Sequence, residues 1–251
     1  MRLGTVLILL AVLCWLGPAG ATTVVGVRTK SAITVGADGR GASAPGGASA
    51  ACKIRSCGSG FAALAGSLEN DANVLDALSR ACADGANPSE MADQFATGIK
   101  ASFSGATSRL KQRVAQPAHQ GQAGGPLISA LFFAMVQGEP AFARRDVFVA
   151  DDGALRISSH TCPGNCDAQQ QMNVFMMGDT ERAAELLRAE PMLLAIEPPL
   201  GLINRLIDAQ ASATPASVGR PIDVLTIDKR GARWLQREAA SACTELKAPT
   251  Q

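Results

Sequence analysis

The sequence predicts an α+β domain with two sheets, and three observations carry the prediction. Thr22–Arg28 and Ala32–Asp38 alternate in polarity as neighbouring strands do. Two helical stretches occupy the middle of the chain, the second with apolar residues at every fourth position. Two turn signals, Asp151-Asp152-Gly153 and Lys229-Arg230-Gly231, return the second half to hairpins. Of the 251 residues, those from 22 onward suffice for one domain with a sizeable core.

Met1–Ala21 reads as a secretory signal peptide. Arg2 is its only charge, Val6–Leu16 is apolar, and Ala19-Gly20-Ala21 is an A-x-A cleavage site. The expected product is a secreted or periplasmic domain, residues 22–251. A lipoprotein reading fails on Leu13, which stands before Cys14 where a small residue is needed. Beyond the leader no apolar run reaches membrane-spanning length. Loss of Arg2 balances the formal charge at 22 basic and 22 acidic residues, which gives no handle for nucleic acid or an anionic membrane.

Cleavage after Ala21 makes Thr22 the first residue. Its hydroxyl and a free α-amine then sit on adjacent carbons. An α-amine has a pKa of about 7.7–8.0, so part of it is neutral near pH 7 and can accept a proton. One residue supplies both nucleophile and base.

The remaining elements follow in order. Gly39–Ala51 is rich in Gly, Ala and Ser and reads as a loop. Cys52-Lys53-Ile54-Arg55 starts the next strand, and Phe61–Ser67 ends a third and enters a helix over Ser67–Ala83, with Leu68, Leu75, Leu78 and Cys82 near one face. Asn87-Pro88-Ser89-Glu90 is a helix start, with a capping Asn, Pro in first position and an acid in the third. Met91, Phe95, Ile99 and Phe103 form the stripe that packs it on a sheet. A Gly/Gln-rich loop, Gln116–Pro126, leads to a buried strand over Leu127–Val136. Asp146–Ala150 and Ala154–Ser158 form a hairpin, Thr161–Gln171 an insertion, and Met172–Met177 a strand. Asp179 is placed to cap a helix over Thr180–Arg188, and Pro199–Ala211 is helical. Ile222–Asp228 and Arg233-Trp234-Leu235 make the last hairpin.

Seven cysteines are present, and Cys14 leaves with the leader. An even number then remains in an exported chain: Cys52, Cys57, Cys82, Cys162, Cys166 and Cys243, enough for three disulfides. Cys162 and Cys166 suit a local loop, and a disulfide at Cys52 would steady the strand that starts there. A lone C-x3-C is weak evidence for zinc, and neither His119 nor His160 completes a ligand set. No metal or cofactor is called for. The two histidines lack a G-x-S-x-G elbow, which argues against a Ser-His-Asp hydrolase.

Thr22-Thr23, the apolar strand with Val27-Arg28, and the Ala37-Asp38-Gly39 turn together resemble the start of proteasome β-subunits and their simpler bacterial relatives. In that family a catalytic Asp lies sixteen residues after the nucleophilic Thr, and Asp38 lies sixteen after Thr22. The resemblance implies the four-layer αββα sandwich of N-terminal-nucleophile (Ntn) hydrolases. It also implies a lysine from the next strand, which Lys53 matches at one position short of the family spacing, with Arg55 as the fallback. Asp38 would hold that ammonium. Gly66, in Ala65-Gly66-Ser67, matches the glycine whose N–H forms the oxyanion hole, and Leu64 is a candidate wall of the substrate pocket. Gly178-Asp179 falls where the family has Gly-Ser-Gly, so Asp179 stands at a supporting serine's position; the family's later Asp has only Asp208 and Ser217 as nearby candidates.

The function implied is an exported threonine-type peptidase that cleaves peptides or unfolded polypeptide without an ATPase. Two alternatives remain open. One is an Ntn amidase acting on small acylated molecules. The other is a catalytically silent binding or assembly subunit. A homo-oligomeric ring is implied by analogy alone.

Overall fold

In a computed structural model, the structure describes residues 22–40, 52–103, 125–150, 152–166, 170, 172–215 and 217–238. The expected leader, His119, Cys243 and most of the expected Gly39–Ala51 and Gln116–Pro126 loops lie outside the described residues.

The chain opens with strands β1 (Thr23–Thr29) and β2 (Ala32–Asp38), then β3 (Ile54–Cys57) and β4 (Gly60–Ala65). Helices α1 (Ala72–Asp84) and α2 (Pro88–Phe103) follow. Strands β5 (Ile128–Val136), β6 (Glu139–Val149), β7 (Leu155–Cys162) and β8 (Met172–Gly178) come next. Helices α3 (Glu181–Ala189), α4 (Leu193–Ile196) and α5 (Pro199–Ala213) precede β9 (Ile222–Asp228) and β10 (Gly231–Arg237). The strands form two five-stranded antiparallel sheets, ordered β10-β9-β2-β1-β8 and β3-β4-β5-β6-β7.

Successive side chains of a strand point to opposite faces, and that alternation sorts the core into three clusters. Val24 of β1 joins Phe61, Ala63, Leu131, Phe133 and Met177 in a cluster drawn from both sheets. Its neighbour Val25 joins Leu202, Ile203 and Leu206 of α5. In the second sheet Ala62, Leu64 and Phe132 pack with Val74 of α1 and Phe95 of α2. Each sheet thus buries both faces at its centre, which is why β1, β4 and β5 are apolar almost throughout.

The sequence reading needs correction at several element ends. Residues 67–70 are turns and α1 starts at Ala72, because the Asp71 side chain accepts the Asn73 N–H at 2.9 Å and caps it there. Its buried face carries Val74, Ala77, Leu78 and Ala81, with Leu75 and Cys82 only partly covered. Strand β6 begins at Glu139 rather than Asp146. Two arginines hide it from a polarity scan, and both are paired: Arg144 Nε with Asp146 at 2.8 Å, Arg145 with Asp93 at 2.7 Å. Thr161 and Cys162 complete β7 and are not part of an insertion. The start of α2 is as expected: Asn87 Oδ1 accepts the N–H groups of Ser89 and Glu90 at 3.0 and 3.1 Å, and Met91, Phe95, Ile99 and Phe103 are buried.

Cys57 and Cys82 form a disulfide that ties the end of β3 to α1, and Cys162 pairs with Cys166. Cys52 is also disulfide-bonded. Among the described residues no helix is long and apolar enough to cross a membrane.

Candidate active site

Thr22 immediately precedes β1 and is fully buried, as are Thr23 and Asp38. In the full-length chain the Thr22 nitrogen is in an amide bond to Ala21. Two hydrogen bonds to the Asp179 backbone seat Thr22 and Thr23. Thr22 O accepts the Asp179 N–H at 3.0 Å, and Thr23 Oγ1 donates to Asp179 O at 2.6 Å. Gly178 lies beside them at φ +83°. A Cβ there would stand 1.7 Å from Thr22 O and 3.1 Å from Ala65 Cβ, so only glycine fits.

Asp38 ends β2, directly across the strand pair from Thr23. Its Oδ1 accepts the Thr23 N–H at 2.7 Å, and the Gly219 backbone donates to the same carboxylate. Lys53, just before β3 in the other sheet, spans the gap. Its ammonium is 2.6 Å from Thr22 Oγ1 and 3.4 Å from each oxygen of Asp38. Lys53 is 8% exposed, so this cation sits against its partners with little solvent to screen it.

Sequence reasoning missed Glu69. It lies in the turn between β4 and α1 and is 8% exposed. Its Oε2 accepts a hydrogen bond from Thr22 Oγ1, and its Oε1 is 3.8 Å from Lys53 Nζ. The one signal available was an acid soon after the Ala65-Gly66-Ser67 junction. An acid in a turn ordinarily reads as solvated, and only the tertiary fold buries this one.

Two carboxylates therefore share one ammonium. Burial pushes the Asp38 carboxyl above the usual carboxylate range, against the pull of Lys53 and the Thr23 N–H. Burial raises Glu69 as well, opposed by Lys53 and by the Thr22 hydrogen bond, and reinforced by the negative charge of Asp38.

Gly66 follows β4 at φ +124°, where a Cβ would meet Leu127 O at 2.5 Å. A cleft is lined by Cys52, Lys53, Arg55, Leu64, Glu69 and Asn70. It brings Leu64 and Arg55 alongside Lys53 and Glu69.

Other expected residues play different parts. Asp179 serves Thr22 and Thr23 through its backbone. It does not cap α3, whose N-cap is Thr180, with no side-chain capping bond. Asp208 pairs with Arg220 at 3.2 Å and Ser217 Oγ donates to Thr214 O, so neither completes the site. His160 stacks on Phe142 with ring centroids 5.7 Å apart. Among the described residues no group of three or more His, Cys, Asp or Glu is arranged to hold a metal ion.

The arrangement can polarise a hydroxyl. A cation donates to Thr22 Oγ1, a carboxylate accepts from it, and a second carboxylate anchors the cation.

No family model matches the chain, and no curated protein matches it. It is similar to the solved structure of Anbu (ancestral beta-subunit) from Yersinia bercovieri, at 14% sequence identity and a TM-score of 0.47, over 88% of this chain and 89% of that one.

Proposed function

We propose that the chain is the precursor of an exported threonine-nucleophile amidohydrolase, a peptidase, armed when cleavage leaves Thr22 at the N-terminus. The contact that carries this reading is the 2.6 Å hydrogen bond from Lys53 Nζ to Thr22 Oγ1, with Asp38 holding the lysine. A buried ammonium beside a hydroxyl stabilises the alkoxide that forms as it attacks. The hydroxyl adds to the scissile carbonyl, the Gly66 N–H receives the developing oxyanion, and water hydrolyses the acyl-enzyme. Leu64 and Arg55 line the cleft in which the side chain next to the scissile bond sits.

The three core clusters support a four-layer αββα arrangement: α1 and α2 on one sheet, α3 to α5 on the other, the sheets face to face. Peptides or unfolded polypeptide are the substrate class, on the strength of the family resemblance of residues 22–39. The disulfides fit a compartment outside the cytoplasm, where no ATP-driven unfoldase is expected to feed the site.

The test is incubation of protein shown to begin at Thr22 with a β-lactone or epoxyketone probe. A mass adduct on Thr22, absent from Thr22→Ala, is the expected result. No adduct would mean a silent binding or assembly subunit of the same fold. An adduct with turnover of small acylated amides but not peptides would mean an amidase.

A further inference from the structure

Thr22 Oγ1 carries one proton and two lone pairs. Lys53 Nζ donates to one lone pair, and the proton points to Glu69 Oε2. The second lone pair is left to attack. We propose that Glu69 is the catalytic base that takes the Thr22 hydroxyl proton; the proposal rests on the threonine-hydrolase reading of the site.

The charges around Thr22 weigh against the α-amine as the base. Asp38 and Glu69 bring two carboxylates against a single buried ammonium, Lys53, with Arg55 exposed at the cleft. Negative charge beside a freed amine favours its protonated form, which has no lone pair to receive a proton. Glu69 already accepts the hydroxyl hydrogen, and burial raises its proton affinity toward what a base working near neutrality needs.

The step balances without any further reactant. The proton passes from Oγ1 to Oε2 as Oγ1 bonds to the carbonyl carbon, and the carbonyl π pair moves to oxygen. On collapse the C–N bond breaks and Glu69 returns the proton to the leaving amine. Water enters by the same route in reverse order and releases the acid, regenerating hydroxyl and carboxylate.

The experiment measures the rate of β-lactone labelling against pH for protein beginning at Thr22, and for Glu69→Gln and Glu69→Asp. In wild type, labelling should fall as pH drops through the raised Glu69 pKa. Glu69→Gln keeps the shape and an acceptor oxygen but loses the base. It should label about a hundredfold more slowly and lack that acid limb. Glu69→Asp, its carboxylate withdrawn by one methylene, should keep the limb and lose about tenfold or more in rate. Labelling of Glu69→Gln at the wild-type rate and profile, or faster, overturns the assignment while leaving the hydrolase reading intact. If Glu69→Gln does not fold, Glu69→Asp decides, and a wild-type rate there overturns it. A wild type that takes no label overturns both.

Discussion

Lys53 Nζ lies 2.6 Å from Thr22 Oγ1, although the two residues lead into strands of different sheets. The same ammonium is 3.4 Å from Asp38 and 3.8 Å from Glu69, so one side chain joins the hydroxyl to both buried carboxylates.

Replacing Lys53 with Met should remove labelling of Thr22 altogether. It also strips two buried carboxylates of the ammonium that pairs with them both, which typically destabilises by about 3–5 kcal/mol. Thermal unfolding beside adduct mass spectrometry separates the effects. A folded Lys53→Met protein that labels at the wild-type rate contradicts the role given to this lysine.

The stability that Asp38 and Glu69 contribute should fall as pH rises across the acid range. Asp38 and Glu69 both have folded-state pKa values raised above their ordinary ones by burial. The native state therefore holds protons that the unfolded chain has already lost. The stability contributed by the protonated forms is full below the ordinary carboxylate pKa and is gone once pH passes the raised values. Denaturant titrations between those limits should show the decline in wild type and flatten it in the Asp38→Asn, Glu69→Gln double variant. An equal slope in both would refute the assignment.

Gly178 and Gly138 form a controlled pair, since both sit at φ +83°. A Cβ on Gly138 meets nothing within 4 Å, whereas one on Gly178 meets Thr22 O at 1.7 Å. Gly138→Ala should cost about 1–2 kcal/mol from backbone strain alone. Gly178→Ala adds a clash with fixed backbone, a further 1–3 kcal/mol or so, and should displace Thr22 and abolish labelling. Comparable losses in the two variants would mean that this clash is relieved cheaply.

The Cys57–Cys82 disulfide closes the segment that holds β4, the Gly66 junction and Glu69. Its sequence separation is 25 residues, and a loop of that size restrains the unfolded chain by about 3 kcal/mol. The Cys57→Ser, Cys82→Ser protein should lose roughly that much in chemical denaturation.

Much of this was legible along the chain because it is local. Thr22 and Asp38 sit at the ends of two strands joined by a short turn, so alternation and spacing fix which residues meet. Lys53 precedes a short strand, and its ammonium rather than the Arg55 guanidinium reaches Thr22. Glu69 was not legible, because its burial depends on Thr22 and Lys53 closing over a turn from elsewhere in the sequence. The α1 start was readable from Asp71 as an N-cap, yet Ser67 offered the same chemistry four positions earlier. Strand β6 was obscured by Arg144 and Arg145, whose partners Asp146 and Asp93 no periodicity reveals.

Thr22 and Asp38 ride on one sheet, while Lys53, Gly66 and Glu69 ride on the other. The reactive group is thus a gauge of how the two sheets are seated. A sideways slip of an ångström would spoil it while every strand kept its own hydrogen bonds. Mild denaturant or pressure should silence the chemistry before circular dichroism registers any loss, and a ligand gripping both sheets should restore it.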